Sequence, residues 1–565
     1  MAQNYMLRKI AILVVATLLV HVMTLTFLFQ QTNVFSTRIF HTSTETAELM
    51  MSNNSHCYDI NDPRDPRFYN IILEEDALVF KPCKYVTKAA SINHSKISLT
   101  DRVSGTYNIG EDIRAIVTLY DGYGKRKHSG GDQLRARIEN KMLNASAPCV
   151  LTDNNDGTQA VTCEALWSGT STIQVTLSYT REAITAIYRI RTQILSAENI
   201  GLKFRRGSYD ENTICHPNAT HLVKLTSYTD VCDMTYFNLG MSFYCGRPKD
   251  KHLQCQDMQL VEAKVPFPEL QFTGCENILI KKGRQALKQN LTVHVHNKNG
   301  DTRHSVIEKP SIPCPKYNIT LLWLSRGPTG FFYDEKWNLR NCHGFQQNHY
   351  QTCLRNRRLY VFGDSTTRAW YNNIQKRFQC QQTTEKWQFE KWHKDSECYN
   401  RQINFKAGWY PHAQPFLART WDDMRSALYS ISGRIDRIPR KERAIVVIHL
   451  FIHMVAFHHS VFKQRMEIIR ESVDKFLRNN KQSIVMIKAP HTYEDTLADK
   501  YRFTDYFGYV YSKILYEVFE GLHDRVVLLN NRDTTVALHV VNKHPPKNII
   551  NAMIDQMPSY ACVTK

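Results

Sequence analysis

Three polar residues in the C-terminal half of the chain have the types that nucleophilic acyl chemistry requires. Ser365 lies in LYVFGDSTTRAWY (359–371), directly after an apolar run that stops at Gly363. Asp533 and His544 follow in NNRDTTVALHVVNKHPP. A serine attacks a carbonyl carbon when a base takes its proton and another group orients that base. We predict Ser365 as nucleophile, His544 as general base and Asp533 as the orienting acid.

The residues around Ser365 predict a turn from a strand into a helix. Gly363 allows the chain to turn without a Cβ clash, and the start of a helix offers unpaired N–H groups and a positive dipole end. These groups suit a developing oxyanion. The alternative is that Asp364 or Ser365 only caps an ordinary helix.

The elements that must position these residues form an alternating strand and helix pattern. Four near-continuous apolar runs predict strands covered on both faces: RLYVF (358–362), AIVVIHL (444–450), SIVMIK (483–488) and RVVLLN (525–530). Apolar stripes at 462–476 and 507–518 predict helices between them, and a last helix begins after Pro545 and Pro546. The pattern predicts a doubly wound α/β domain with its site at the carboxyl ends of the strands.

The first half of the chain has a different rhythm. Alternating apolar residues at 113–119, 134–138 and 173–179, separated by turn signals, predict a β-sandwich of about one hundred residues. Cys149 and Cys163 flank the turn DNNDG and are placed to cross-link that hairpin. Five further cysteines between 215 and 275 predict a loop-rich region held by disulfides, whose pairing stays open.

The N-terminus predicts a membrane anchor. Residues 10–29 contain no Asp, Glu, Lys or Arg, and a helix of this length spans a bilayer core. Arg8 and Lys9 precede the run and favour a cytoplasmic N-terminus. The alternative is a cleaved signal peptide and a secreted protein, but the run is long and no small-x-small cleavage site follows.

Cysteines and glycosylation motifs favour an oxidising, lumenal setting. All fifteen cysteines lie beyond residue 56 without a C-x-x-C pair, which fits disulfides better than zinc and leaves one thiol over. The net charge of +19 is spread along the chain, so nucleic acid is not a predicted partner. Six N-x-S/T motifs predict glycosylation, at Asn53, Asn93, Asn144, Asn218, Asn290 and Asn318.

A histidine cluster in HLFIHMVAFHH raises the question of a metal. It comprises His449, His453, His458 and His459. The zincin pattern HExxH is missing, so we predict no metal here. His453 stays a candidate for substrate contact.

The chain resembles the neurexophilin and PC-esterase (NXPE) family over nearly its whole length. The stretches that match are YDGYGKRKHSGGDQLRARI with DNNDGT, CLRNRRLYVFGDSTTRAW, AIVVIHLFIHMVAFH, and DTTVALHVVNKHPP through YAC. The resemblance implies an immunoglobulin/filamin-like β-sandwich, a Cys-rich linker and a C-terminal SGNH/GDSL-type α/β domain. The implied domains are a cytoplasmic tail (1–9), a signal anchor (10–29), a stem (30–90), the sandwich (91–195), the Cys-rich region (196–314) and the PC-esterase domain (315–565).

The resemblance also implies roles for single residues. Ser365 matches the nucleophile, His544 the base, and Arg368 the arginine that follows the serine, where it would bind a carboxylate or a donor phosphate. Gly363, Asp364 and Gly408 are assigned to oxyanion or substrate binding, with Gly408 as an N–H donor.

Two positions depart from the family pattern. The acid three residues before the histidine is replaced by Val541, which leaves Asp533 or a backbone carbonyl to orient His544. Phe451 stands where a small residue is expected two positions before His453.

The implied function is acyl transfer to glycans. We predict a Golgi type II membrane protein that moves an acetyl group from acetyl-CoA to sialic acid or another glycan acceptor through a serine acyl-enzyme. Two alternatives stay open: a sialate O-acetylesterase, and a catalytically silent esterase fold that binds a ligand or glycan. The implied acyl donor is acetyl-CoA, without a metal.

Overall fold

The computed structural model describes ten stretches of the chain. They are residues 59–193, 200–238, 240–262, 272–297, 305–344, 350–384, 394–412, 419–420, 430–494 and 503–562. The predicted tail, the predicted anchor at 10–29 and the motif at Asn53 lie outside them. In the part that is described, no helix is long and apolar enough to cross a membrane.

Twenty-four strands and twelve α-helices are found in these stretches. The strands are β1 (Lys96–Leu99), β2 (Thr106–Asn108), β3 (Asp112–Thr118), β4 (Gln133–Asn140), β5 (Ala145–Asp153), β6 (Thr158–Glu164), β7 (Gly169–Tyr179), β8 (Ile200–Arg206), β9 (Tyr209–His216), β10 (Val231–Asp233), β11 (Tyr244–Gly246), β12 (Met258–Glu262), β13 (Gln285–Ala286), β14 (Leu291–His296), β15 (Gly330–Tyr333), β16 (Lys336–Leu339), β17 (Arg358–Gly363), β18 (Gln381–Gln382), β19 (Ser396–Asn400), β20 (Phe405–Pro411), β21 (Arg419–Thr420), β22 (Ala444–Ile448), β23 (Ile484–Lys488) and β24 (Val526–Leu529). The helices are α1 (Glu74–Leu78), α2 (Arg181–Gln193), α3 (Ala219–Leu225), α4 (Gly274–Lys281), α5 (Leu321–Leu324), α6 (Tyr350–Leu354), α7 (Ser365–Arg377), α8 (Ile431–Asp436), α9 (His459–Asn479), α10 (Phe507–Val518), α11 (Arg532–Ala537) and α12 (Lys547–Ala561).

The first sheet is mostly antiparallel and has eleven strands. Its order is β1-β3-β6-β5-β4-β7-β14-β2, with β13 paired to β7 and the hairpin β15–β16 paired to β5. Ile113 and Val161 from one half share a hydrophobic core with Leu134, Ile173 and Val175 from the other. The alternating apolar residues therefore form strands as predicted, because each strand buries one face in this common core.

The second sheet is small, and five of its six strands lie in the predicted Cys-rich region. Six strands follow the order β10-β11-β9-β8-β12-β21. Disulfides Cys215–Cys245 and Cys232–Cys255 lie in or beside these strands. The short strands of this region are thus cross-linked to one another, which stabilises the small sheet.

The third sheet has seven strands in the order β18-β19-β20-β17-β22-β23-β24. Five neighbouring strands are parallel to one another, namely β20, β17, β22, β23 and β24. The edge strands β18 and β19 pair antiparallel. Ile445 and Val447 of β22 pack in one core with α7 and α12, whereas Val446 and Ile448 pack in another with α9 and α10. The apolar runs are continuous because helices cover both faces of this sheet.

Seven disulfides link the described cysteines. Cys149–Cys163 bridges β5 and β6 across the DNNDG turn, which confirms the predicted hairpin cross-link. Cys353–Cys562 joins α6 to the residue after α12. The remaining pairs include Cys83–Cys275, Cys314–Cys342 and Cys380–Cys398.

Two of the sheets combine strands from different predicted domains. β14 falls in the predicted Cys-rich region and β15 in the predicted esterase domain, yet both belong to the first sheet. β12 pairs with β21, which lies far along the chain at residues 419–420. The described stretches of the three predicted regions therefore share sheets, and the boundaries at 195 and 314 stay a prediction.

Candidate active site

Ser365 lies at the turn between β17 and α7. Gly363 ends the strand with a φ of 149°, and a Cβ there would lie 2.4 Å from the carbonyl oxygen of His449. A side chain at this position would collide with the neighbouring chain, so only glycine permits this close approach. Ser365 is the first residue of α7, and its N–H belongs to a helix turn that has no internal carbonyl partners.

Asp364 is the residue that caps α7. Its Oδ1 accepts hydrogen bonds from the backbone N–H of Thr366 at 2.9 Å and from Thr366 Oγ1 at 2.6 Å. The carboxylate is buried, with His449 Nε2 at 3.9 Å from Oδ2. Its assignment to oxyanion or substrate binding is corrected here, because the side chain points into the protein and positions the helix that begins with Ser365.

Ser365 and His544 are in contact. Ser365 Oγ lies 2.8 Å from His544 Nε2, although 179 residues separate them in sequence. His544 lies on the exposed loop between α11 and α12, two residues before the capping residue Pro546. The carboxyl-end edge of the sheet brings the hydroxyl and the ring together, as expected from the sequence. A separation of 2.8 Å allows proton transfer between them.

The surroundings of His544 favour a neutral ring. Burial of part of the side chain lowers its pKa, and the positive charges of Lys543, Arg368 and His453 act in the same direction. The negative charge of Asp364 opposes them. A neutral imidazole at physiological pH can accept a proton, which a base for Ser365 must do.

Asp533 is not the group that orients His544. Its Oδ2 accepts hydrogen bonds from the N–H and hydroxyl of Thr329, at 2.7 and 2.8 Å, and from Asn530 Nδ2 at 3.1 Å. Burial raises its pKa to about 6. The prediction fails because Asp533 lies on α11 and faces the segment that leads into β15 instead of the His544 loop. Among the described residues no carboxylate hydrogen-bonds to His544.

Gly408 is also distant from the serine. It pairs with Tyr360 in the middle of β20, three residues before Pro411, which pairs with Gly363. At roughly 3.3 Å per residue this places Gly408 about 10 Å from the strand end. The space beside it is filled by the Tyr410 hydroxyl. Gly408 therefore offers no N–H to an oxyanion at Ser365, and the assignment is corrected.

Arg368 and His453 lie near the pair. The guanidinium of Arg368 stacks on Trp409 with 5.6 Å between its carbon and the ring centroid, and burial lowers its pKa. His453 Nδ1 is 2.7 Å from His412 Nε2. Both residues are partly exposed, and their charges act on His544. They remain candidates for binding a substrate.

A buried basic network beneath the site was not predicted. Lys488 Nζ lies 3.4 Å from His449 Nε2 and 3.3 Å from His491 Nδ1, and burial lowers its pKa to about 7. His491 Nε2 is 3.1 Å from the carbonyl oxygen of Lys543, the neighbour of His544. The network thus supports the backbone that carries His544.

One signal in the sequence was available for these residues. His412, His449 and Lys488 each stand at or directly after the end of a parallel strand, the same position relative to its strand that singled out Ser365. Polar residues at strand ends meet at one edge of such a sheet.

The two departures from the family pattern have structural explanations. Phe451 is buried between the rings of His491, Tyr493 and Tyr511, so it fills the core below the site. Val541 is exposed, and its carbonyl accepts a 2.6 Å hydrogen bond from the N–H of Glu494.

The histidine cluster does not form one site. His449 Nδ1 lies 2.9 Å from the carbonyl oxygen of Lys488, and His453 contacts His412. His458 and His459 point away to Glu74.

Five of the six glycosylation motifs are described, and their asparagines are exposed: Asn93, Asn144, Asn218, Asn290 and Asn318.

A family model and a solved structure each match part of the chain. Residues 337–562 match the model of the C-terminal domain of NXPE family member 4-like proteins, a range that contains Ser365, His544 and the whole third sheet. The crystal structure of the Lin-41 filamin domain is similar with 14% identity, covering 15% of this chain and 80% of that chain. Its TM-score is 0.13, which does not establish a common fold.

Proposed function

Because the chain belongs to the NXPE family, we propose that it is a glycan O-acyltransferase that works through a covalent Ser365 intermediate. The observation that carries the proposal is the 2.8 Å separation of Ser365 Oγ and His544 Nε2 at the start of a helix. A hydroxyl, a base and a helix N-terminus at one point are the groups that acyl transfer needs.

The first half of the proposed reaction loads the enzyme. Ser365 Oγ attacks the thioester carbonyl of acetyl-CoA while His544 Nε2 takes the hydroxyl proton. The C–S bond then breaks, and the thiolate of coenzyme A leaves with the proton from His544. The N–H of Ser365 at the start of α7 would donate to the carbonyl oxygen as negative charge develops on it, since the Thr366 N–H is already bonded to Asp364. The product is an acetyl ester on Ser365.

The second half transfers the acetyl group. A sugar hydroxyl attacks the ester carbon as His544 removes its proton, and the bond to Oγ breaks. Oγ recovers the proton from His544, so the enzyme returns to its starting state. We propose sialic acid as the acceptor, with Arg368 and His453 binding its carboxylate or the phosphates of the donor.

The proposal includes a fold and a cellular setting. The parallel sheet between two helix layers, with the serine after its first parallel strand, supports an SGNH-type PC-esterase domain. The first sheet supports an immunoglobulin/filamin-like sandwich. We propose a Golgi membrane location with a lumenal body, which the seven disulfides and the exposed sequons support.

A second candidate is a catalytically silent esterase fold that binds a glycan or protein ligand. It is favoured by the lack of a carboxylate bonded to His544 within the described stretches. A base that nothing orients loses part of its effect, since replacing the acid of a serine triad lowers kcat by about 10⁴-fold.

The test is incubation of the purified protein with acetyl-labelled acetyl-CoA and a sialylated glycan. Label retained on the glycan supports the transferase. Label that appears only as free acetate, together with cleavage of O-acetyl sialic acid, indicates the esterase. Label that stays in acetyl-CoA with every acceptor indicates the silent protein.

A further inference from the structure

Three side chains from distant parts of the chain meet away from the Ser365 site. Glu74 is the first residue of α1, and His458 and His459 lie at the start of α9, 384 residues later for the Glu74–His458 pair. Glu74 Oε2 is 2.8 Å from His458 Nε2 and 3.4 Å from His459 Nδ1. One ligand atom from each residue lies within 4.8 Å of the others.

The donor set and its spacing fit a transition metal. Zinc binds imidazole nitrogen and carboxylate oxygen at about 2.0–2.2 Å with tetrahedral geometry, which places its ligand atoms about 3.3 Å from one another. The separations of 2.8 and 3.4 Å bracket that value. Three protein ligands leave a fourth position for water or a further donor.

The unpartnered nitrogen of His459 supports a metal ion at this position. His459 Nδ1 is buried and has no hydrogen-bond partner among the described residues, although it faces the Glu74 carboxylate. His458 Nδ1 lies 2.7 Å from Ser460 Oγ. His458 Nδ1 also accepts a 3.3 Å hydrogen bond from the N–H of Ser460, so in the metal-free protein the ring proton lies on Nε2 and is donated to Glu74. A bound cation would replace that proton between Nε2 and the carboxylate, as a histidine must lose a proton to bind a metal.

We propose that Glu74, His458 and His459 bind one zinc-like divalent cation. The cation would tie the N-terminal segment at α1 to the loop that runs from β22 to α9. That loop also carries His453, so the metal would hold the segment from which His453 faces the Ser365 site. The role is structural and does not depend on the reaction proposed for Ser365.

The test compares Glu74→Gln and His458→Ala with Glu75→Gln in the full chain. Glu75 is the exposed neighbour of Glu74 on the same short helix, which makes it the matched control. Each protein is freed of metal with a chelator and titrated with zinc chloride by calorimetry. We expect the two ligand variants to bind at least about 100-fold more weakly than the wild type, and Glu75→Gln to bind like the wild type. Equal zinc binding by Glu74→Gln and Glu75→Gln would overturn the proposal.

Thermal unfolding gives an independent readout. Zinc should raise the melting temperature of the wild type and of Glu75→Gln above the value in chelator, and should leave that of Glu74→Gln unchanged. The zinc-induced shift is compared, so a variant that is less stable in chelator remains informative. An equal shift with magnesium, which prefers oxygen ligands, would contradict a site of two nitrogens and one oxygen.

Discussion

At the scale of single residues, the Ser365 hydroxyl is the group on which the proposed reaction depends. We expect Ser365→Ala to lower acetyl transfer by about 10⁴-fold or more, because no covalent intermediate can form. Ser98→Ala, on an exposed position of β1, should leave the rate unchanged. The measurement is the initial rate of label transfer at saturating acetyl-CoA. A Ser365→Ala protein that transfers at the Ser98→Ala rate would exclude this serine as the nucleophile.

The charge state of His544 sets the pH dependence. Burial and neighbouring positive charges lower its pKa below the usual 6.5, and the neutral ring is the active form. The rate should therefore be constant at neutral pH and fall on the acid side below pH 6.5. Lys543→Gln removes one of the positive charges, so its acid limb should move to higher pH.

The profile of kcat/KM against pH checks this prediction. Lys547→Gln removes an exposed charge from the first residue of α12 and serves as the control whose acid limb should coincide with the wild type. A limb that moves to lower pH in Lys543→Gln would show that another group titrates.

The sequence predicted that Ser365 and His544 meet but not how the His544 ring is held. Ser365 and His544 were recognisable because each stands beside the end of an element, and strand ends of one sheet converge. The prediction that Asp533 orients His544 was wrong because the sequence does not show in which direction a side chain points on a helix of one and a half turns. Its carboxylate turns to Thr329, a contact made over 204 residues that no local pattern reports.

At the scale of elements, the turn from β17 to α7 requires a glycine. We expect Gly363→Ala to reduce the free energy of unfolding by at least about 2–3 kcal/mol and to lower activity, since a Cβ would press on the His449 carbonyl. Gly207→Ala is the control: its φ is +61° but nothing lies within 4 Å, so it should cost only about 1 kcal/mol. Urea unfolding of both variants measures the difference.

Equal losses in the two glycine variants would mean that backbone conformation alone, and not the close approach to His449, accounts for the effect.

The strands themselves were well predicted, since β17, β22, β23 and β24 coincide with the four apolar runs. Their register was not. Gly408 was misplaced because its strand, β20, was not among the four predicted strands, so the sequence did not show how far Gly408 lies from the strand end.

At the scale of the whole molecule, buried contacts join the first sheet to the helices of the third. Arg135 on β4 forms a 2.7 Å ion pair with Asp505 and a 3.0 Å hydrogen bond from Nε to the Tyr509 hydroxyl. Both charged side chains are almost fully buried. The contact is made across 370 residues, so composition and periodicity of the separate regions did not reveal it.

Breaking this ion pair should destabilise the whole protein. We expect Arg135→Met to reduce the free energy of unfolding by about 3–5 kcal/mol, because the buried Asp505 carboxylate loses its main counter-charge. Arg114→Met removes an exposed arginine from β3 and should change it by less than about 0.5 kcal/mol. Urea unfolding at pH 7 is the measurement. Equal stability of the two variants would contradict a mechanical coupling of the two sheets through Arg135.

The bond between Cys353 and Cys562 encloses both Ser365 and His544 in one covalent ring. If a protease cuts any single peptide bond between these two residues, they fall on different fragments. The fragments nevertheless stay joined, and they separate on a gel only after a reducing agent opens the ring. A nicked protein is therefore expected to keep its serine and histidine in one molecule, so an intact polypeptide is not a precondition for the site.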